Sequence, residues 1–268
     1  MEKRLKILIA TDYSEAASHA ERYAVHLAKN TNSILIFLNI YQLPFISPAK
    51  PMEFIDKAEE MHASEITRLK NHSEALFRSS QIDISEMACE HVVKVGGSIG
   101  KQIVKEAEDA HADFIVIGTH GVTGFRKLFF GSHSWDVMKK SRIPVFAIPK
   151  DAVFTGIKNI VFGTEYREGE IPVLNFLVHV ARMFNAEITV LHITNYLLTK
   201  EFEREMFEKF RDDLVNVVLY PKMKIRLMVH ENISEGVHKY CEEHHTDLLV
   251  MSPEKPFLFE SIFHFPAF

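Results

Sequence analysis

Four of the chain's 11 glycines lie in one segment, GTHGVTGFRKLFFGS, at residues 118–132. An apolar run at 114–117 precedes the segment, and a helix-like pattern follows it. Glycine permits positive φ and lets a ligand approach bare backbone N–H groups. Gly131 and Ser132 open the predicted helix, with Ser132 as its N-cap, and a helix start adds free N–H donors and partial positive charge. The segment therefore predicts an anion site, and a phosphate group fits it.

Two common phosphate-binding motifs are absent from this sequence. A P-loop requires G-x-x-x-x-G-K-[ST], and a dinucleotide fingerprint requires G-x-G-x-x-G after the first strand. The stretch after the first strand reads ATDYSE and contains no glycine, but it places Asp12 at the end of that predicted strand. A carboxylate there can accept hydrogen bonds from ribose hydroxyls. Asp12 and Glu15 also match the spacing of a capping box for the first helix, and the two roles are compatible.

Neither a catalytic set nor a metal-binding set is predicted from the residue pattern. Ser132, His120 and Asp136 are the residue types of a hydrolytic triad, yet the chain has no nucleophile-elbow motif. The 15 histidines are scattered, and the adjacent His244 and His245 would not share one helical face. We interpret the histidines as surface or packing residues.

The two halves of the chain repeat each other, which indicates two domains. Residues 11–13 (TDY) match 164–166 (TEY) at an offset of 153, and 111–121 (HADFIVIGTHG) match 245–255 (HTDLLVMSPEK) at an offset of 134. The falling offset means that the second half has lost residues between these points. The predicted domains are 1–150 and 151–268.

Each half alternates strand and helix patterns. In the first half the predicted strands are 5–10, 33–40, 84–93, 114–117 and 144–148, and the predicted helices are 14–30, 52–78, 98–111 and 132–141. Strands that are apolar on both faces are typical of parallel sheets covered by helices. The pattern predicts an α/β fold of two doubly wound, mostly parallel sheets, which bind ligands at the carboxyl ends of their strands.

The second half departs from this pattern at its end. In place of the glycine segment it has SPEKPFLFESIFHFPAF at 252–268, which contains no glycine and includes Pro253 and Pro256. No clear fifth strand follows, so the second domain is predicted to be degenerate or clipped at its C-terminus. Because proline removes N–H donors and glycine is absent, we expect one nucleotide per chain, bound in the first domain.

The spacing Gly118-x2-Gly121-x9-Gly131-Ser132 resembles the ATP-binding signature of the universal stress protein family. The opening ILIATDYSEAA, the helix after the glycines and the closing PVFAIP are similar to that family as well. The resemblance covers both halves, so the chain is identified as a tandem universal stress protein with two Rossmann-like domains. The glycine motif is intact only in the first half.

This resemblance implies that the first domain binds ATP, with a divalent ion such as Mg or Mn bridging the phosphates. Asp12 would hold the ribose, Ile40 and the Ala10–Asp12 backbone would line the adenine pocket, and the helix start would hold the phosphates. The implied nucleotide-binding residues are Ala10, Thr11, Asp12, Ile40, Gly118, Thr119, His120, Gly121, Gly124, Gly131, Ser132, His133 and Ser134.

Composition and charge limit the binding partners and the cellular compartment that can be expected for this protein. The formal charge is −5 with a pI of about 6.3, which gives no bulk basicity for nucleic acid. The two cysteines, Cys89 and Cys241, rule out a disulfide framework and suit a reducing compartment. The N-terminal apolar run is too short for a signal sequence, and no run approaches the roughly 18 residues of a membrane span. The sequence therefore predicts a soluble cytoplasmic protein.

Three functions remain open from the sequence. The first is a regulatory role in stress response, in which ATP occupancy changes a conformation or the surface offered to an unidentified protein partner. The second is a dimerising scaffold without nucleotide, and the third is an adenylyl- or phosphoryl-transfer enzyme. We expect at most slow hydrolysis or autophosphorylation. We also expect a homodimer through the edge strand at 144–148, which sedimentation at tens of micromolar would test.

Overall fold

The computed structural model describes residues 4–43, 51–121, 128–129, 131–195 and 200–252. The chain divides into two compact units, Met1–Phe154 and Thr155–Phe268. The limits of 150 and 151 given above for two domains stay a prediction. Residues 253–268, where the sequence predicts a degenerate end, lie outside the described residues.

The described part of the first unit contains a five-stranded parallel sheet with the order β3-β2-β1-β4-β7. Its strands are β1 (Lys6–Thr11), β2 (Ile34–Tyr41), β3 (Ala88–Val95), β4 (Phe114–Gly118) and β7 (Val145–Ile148). Between β4 and β7, β5 (His120–Gly121) and β6 (Leu128–Phe129) form a short antiparallel ribbon. The helices are α1 (Glu15–Thr31), α2 (Pro51–Ser79), α3 (Ile99–Asp109) and α4 (Ser132–Lys140). The strands β1, β2 and β4 carry the buried core.

The second unit repeats this arrangement with four described parallel strands in the order β10-β9-β8-β11. The strands are β8 (Asn159–Gly163), β9 (Glu187–Thr194), β10 (Met223–Val229) and β11 (Leu248–Met251). The helices are α5 (Ile171–Phe184), α6 (Lys200–Val217) and α7 (Ile233–Glu243). The predicted α/β class with two parallel sheets is confirmed. None of the described helices combines the length and apolar character needed to cross a bilayer.

The predicted start of the third strand was wrong. The third strand begins at Ala88 and not at residue 84, because Ile84–Glu86 form a short 3₁₀ helix. Asp83 starts this turn by accepting hydrogen bonds from the backbone N–H and the hydroxyl of Ser85, at 2.9 and 2.8 Å. Such local side-chain bonds compete with strand pairing. The second strand extends to Tyr41, one residue beyond its predicted end, in parallel register with β3.

Matching residues of the two units make matching bonds. Asp113 accepts a hydrogen bond from the backbone N–H of Lys6 at 2.8 Å, and Asp247 accepts one from that of Lys158 at 2.7 Å. Each carboxylate therefore ties the start of one strand, β4 or β11, to the beginning of the first strand of its unit, β1 or β8. The sequence repeat corresponds to a repeat of hydrogen bonding.

Candidate functional site

Strand register brings the predicted nucleotide residues to one edge of the first sheet. Thr11 pairs with Asn39 of β2, so Asp12 follows next to Ile40. On the other side Ile9 pairs with Val116, and the same register continued by two residues sets Thr11 beside Gly118. Residues separated by more than a hundred positions thus meet at the carboxyl ends of three adjacent strands, where open α/β sheets bind ligands.

The turn after β1 is fixed from within and leaves Asp12 exposed. Thr11 is buried, its hydroxyl accepts a hydrogen bond from the Tyr13 N–H at 3.0 Å, and its carbonyl accepts one from the Asn39 amide at 2.9 Å. Tyr13 adopts a φ of 64°, which turns the chain sharply towards α1. The Asp12 carboxylate is thereby presented at the edge of the sheet.

The capping-box interpretation of Asp12 was wrong. The N-cap of α1 is Ser14, whose hydroxyl accepts a hydrogen bond from the Ala17 N–H at 3.2 Å. Asp12 instead accepts from the Ser14 N–H at 2.9 Å, two residues away. Because the positive φ of Tyr13 consumes one residue in the turn, the helix starts later than the D-x-x-E spacing implies.

Gly118 ends β4 at a close approach to α1. A Cβ atom at this position would lie 2.3 Å from the Ala16 carbonyl oxygen and 3.2 Å from the Ala17 nitrogen. Thr119 follows and is fully buried, and both its N–H and its hydroxyl donate to the Ile148 carbonyl, at 3.0 and 3.3 Å. The structure therefore uses these two residues to pack β4 against its neighbours, whatever contact they make with a ligand.

Helix α4 starts next to the end of β4. The hydroxyl of Ser134 donates to the Gly118 carbonyl at 3.1 Å, which holds the first turn of α4 at this edge of the sheet. Ser132 and His133 are exposed in that first turn. The N–H groups of a first turn have no partner within the helix and carry the positive end of the helix dipole.

The predicted N-cap of α4 was also wrong. Gly131 holds that position, with extended backbone and without a side-chain cap bond, and Ser132 is the first helical residue. Because glycine has no side chain, the N-cap residue of α4 leaves the first backbone N–H groups uncovered. His120 and Gly121 lie in the β5–β6 ribbon, whereas Gly124 lies outside the described residues.

Polar side chains of α2, in a cluster that the sequence did not predict, contact the turn that carries Asp12. Arg68 of α2 lies over the Tyr13 ring at 4.0 Å, and the His72 ring meets it edge-on at 5.1 Å. Burial, with a smaller contribution from the Glu65 carboxylate, raises the pKa of the Tyr13 hydroxyl to about 12. His72 also contacts Glu21, a fully buried carboxylate on α1, at 2.7 Å between Nε2 and Oε2. The turn that presents Asp12 is therefore braced by α2.

The second unit contains the same turn with different support. Thr164 again accepts from the Tyr166 N–H at 3.0 Å, Tyr166 has a φ of 61°, and His192 contacts the Thr164 carbonyl at 2.8 Å where the first unit uses Asn39. Tyr166 stacks on His192 at 4.0 Å and packs against Phe210 of α6. The charged brace of the first unit is thus replaced by aromatic packing.

A small pocket lies at the carboxyl ends of β8 and β11 in the second unit. Its lining includes apolar side chains of β9, β11 and α7 together with Thr164, Glu165 and Arg167 of the turn after β8. Glu170 lies at this turn and is 3% exposed. Burial raises the pKa of its carboxyl above the ordinary value, although hydrogen bonds from Thr164 and Arg167 and the nearby Arg167 and His192 charges act in the opposite direction.

This shift predicts a pH dependence of stability in the second unit. Because the folded pKa of Glu170 is raised, folding disfavours its charged form, and stability falls as pH rises from the ordinary glutamate pKa through the folded value. We expect the urea midpoint of a Glu170→Gln chain, relative to wild type, to increase between about pH 4 and pH 7. A relative midpoint that is constant or falls over this range would contradict the assignment.

Comparison with known proteins places this architecture in a family. A model of the universal stress protein family matches residues 3–149, more than half of the chain. The chain belongs to the universal stress protein family. The universal stress protein MJ0531 of Methanocaldococcus jannaschii is 31% identical over 153 residues, which cover 54% of this chain and 82% of that protein. MJ0577 of the same organism is 27% identical over 153 residues, covering 54% of this chain and 94% of that protein.

A solved structure extends the likeness to both units. A universal stress protein from Archaeoglobus fulgidus superposes with a TM-score of 0.63 and 18% identity, covering 92% of this chain and 86% of that one. At this identity the superposition shows the fold alone, and it includes the second unit, which the family model does not reach. The resemblance seen in the sequence is confirmed for the family and the fold, whereas the nucleotide contacts stay a prediction.

Proposed function

We propose that this universal stress protein binds an adenine nucleotide, ATP, in its first unit, and that occupancy of the site regulates a conformation or a protein partner. The observation that supports this best is the juxtaposition of Asp12 with the start of α4. Asp12 is exposed at the end of β1, and Ser134 holds the helix start at the end of the adjacent β4. An acceptor for ribose hydroxyls and a donor set for phosphate thus lie at one sheet edge.

The proposed contacts follow from exposure and backbone geometry. Asp12 accepts hydrogen bonds from the ribose, and the half-buried Ala10 and Ile40 flank the base from two adjacent strands. The N–H groups at the start of α4, from Ser132 to Ser134, donate to the phosphates. Glycines 121 and 131 allow the ligand to approach the backbone.

A divalent ion enters this proposal with the nucleotide. Among the described residues, no group of three or more His, Cys, Asp or Glu side chains is arranged to hold a metal ion. Mg²⁺ in nucleotide sites commonly takes phosphate oxygens and water as most of its ligands. We therefore assign the ion to the phosphates and name no protein ligand for it.

The function proposed is binding, without a catalytic step. Asp136, one of the three residue types of a hydrolytic triad noted in the sequence, pairs with Lys140 on its own helix at 2.5 Å. Ser132 is exposed in the first turn of that helix. A side chain that activates Ser132 as a nucleophile is not seen among the described contacts, so we assign no catalytic residue.

Two substitutions test the placement of the site. Asp12→Ala removes the ribose acceptor, and Gly131→Asp sets a carboxylate at the start of α4, where it opposes phosphate. We expect each to weaken ATP binding at least about 10-fold, roughly 1.4 kcal/mol, in calorimetry of the folded chains. Wild type should saturate at one nucleotide per chain.

The matched control is Glu165→Ala, which removes the acid that follows Thr164 in the second unit. It should leave ATP affinity and stoichiometry unchanged. Two nucleotides per wild-type chain, or loss of binding in the Glu165→Ala chain but not in the Asp12→Ala chain, would contradict the proposal. A chain that binds no nucleotide at all would favour the scaffold function.

A further inference from the structure

In the second unit a buried carboxylate lies where the donors of a tight turn converge. The Thr164 hydroxyl donates to Glu170 Oε2 at 2.5 Å, and the Glu165 N–H donates to Oε1 at 3.0 Å. The Arg167 N–H completes the set with a longer bond of 3.4 Å to Oε2. Three donors from four consecutive residues thus surround one carboxylate, which is 3% exposed.

This carboxylate is specific to the second repeat. At the offset of 153 residues that relates Thr11 to Thr164, the position of Glu170 corresponds to Ala17. Ala17 is buried and its N–H donates to the Ser14 hydroxyl, so in the first unit this position carries no anion. The turns themselves are alike, since Tyr13 and Tyr166 share a positive φ. The first unit therefore has the turn without the carboxylate.

The donor set has the chemistry of an oxyanion site. Backbone N–H groups that point into one concave turn bind anions, and a hydroxyl adds a further donor. The Arg167 guanidinium lies at the same turn but pairs with the Glu165 carboxylate, so much of its charge is already compensated. The Glu170 carboxylate is the anion that satisfies the remaining donors.

We propose that the Thr164–Arg167 turn is an oxyanion-binding site whose resident ligand is the chain's own Glu170 carboxylate. As long as this side chain is in place, the turn is closed to an external carboxylate or phosphate. Its negative charge also opposes any phosphate that approaches the carboxyl ends of β8 and β11. This inference does not depend on nucleotide binding in the first unit.

The position of the site indicates which ligand can replace the side chain. Removing the Glu170 side chain beyond Cβ leaves a volume close to that of a small carboxylate, next to the pocket formed by Leu191, Leu249 and Met251. The lost group, a methylene with a carboxylate, is the size of acetate, and formate carries the same two oxygens on one carbon and is small enough to enter the space. A molecule larger than acetate lacks the fit, and an uncharged molecule lacks the charge.

The test is chemical rescue of the full chain with Glu170→Ala. We expect its thermal midpoint to fall relative to wild type, because buried donors lose their acceptor. Sodium formate at about 0.3 M should then raise the midpoint by about 2 °C or more over equal sodium chloride. Wild type, whose site is filled, should show no such difference.

Two matched chains separate specific binding from a general salt effect. Glu187→Ala removes an exposed acid of the same unit that pairs with Lys224, and it should respond to formate as wild type does. Adding Thr164→Val to Glu170→Ala removes the closest donor and should abolish the rescue. If all four chains gain equally from formate, or if none gains, the proposal is overturned.

Poor folding of the Glu170→Ala chain would not prevent the test. The yield of refolded chain in formate, compared with that in chloride, would then replace the thermal midpoint. A yield that rises in formate supports an oxyanion site at the turn. A yield that is the same in both salts overturns it.

Discussion

Replacing Gly118 with alanine is expected to lower the free energy of unfolding of the first unit by about 3 kcal/mol. The added Cβ would lie 2.3 Å from the Ala16 carbonyl oxygen and 2.7 Å from the carbonyl carbon. Both atoms belong to the backbone at the start of α1, so no side-chain rotation relieves the overlap. Either β4 or the helix must move, and Thr11, Asn39 and the Asp12 turn would move with it.

Urea unfolding without nucleotide measures this effect and keeps it separate from ligand binding. The matched control is Gly163→Ala at the end of β8, where a Cβ would meet nothing nearer than a Met251 side-chain carbon at 3.7 Å. That change should stay within about 0.5 kcal/mol. Equal losses in the two variants would show that Gly118 is not required by packing.

The second large effect concerns the contact between His72 and the buried Glu21, next to the Asp12 turn. His72→Leu is expected to destabilise the first unit by about 3 kcal/mol, because it leaves the fully buried Glu21 carboxylate without its partner. The expected loss lies at the low end for such pairs, since the His72 side chain is 24% exposed and water can reach its side of the pair. The other oxygen of Glu21 already has no hydrogen-bond partner among the described residues.

A double variant distinguishes a stranded charge from lost packing. Replacing Glu21 and His72 together with leucine should recover most of the loss, because apolar groups of similar size often replace a buried pair without penalty. The surface control is His19→Leu, which breaks the exposed contact with Glu15 on the same helix and should change stability by less than about 0.5 kcal/mol. If His72→Leu costs no more than His19→Leu, the buried pair does not brace the turn.

The sequence was sufficient to predict the parallel α/β sheets, the internal repeat and the family. Buried parallel strands such as β2 are apolar on both faces, and this local pattern can be recognised without knowing any tertiary contact. The glycine spacing at 118–131 is equally local. The Asp113 and Asp247 carboxylates occupy matching positions in the repeat, and the structure gives both the same role at the strand start.

Contacts between distant segments could not be predicted from the sequence, because they depend on how the folded elements pack. Glu65, Arg68 and His72 are polar residues on a long helix, a pattern that ordinarily indicates a solvated face. Glu65 and His72 are instead partly buried, and the exposed Arg68 lies over the Tyr13 ring. Their partners, Tyr13 and the buried Glu21 carboxylate, lie about 50 residues earlier in the chain. A hydrophobic pattern along one helix cannot reveal polar partners supplied by another.

Gly118 and Glu170 show the same limit of sequence-based prediction at single residues. The glycine spacing predicts a ligand loop, yet the approach of Gly118 to Ala16 depends on how α1 crosses the end of β4. Glu170 reads as an ordinary helix-start acid, and only the folded turn brings the Thr164 hydroxyl and two N–H groups to its oxygens. The sequence determines which groups are available at a sheet edge. The distances at which backbone segments cross one another are not encoded in any local pattern. These distances decide which groups pack within the protein and which remain for a ligand.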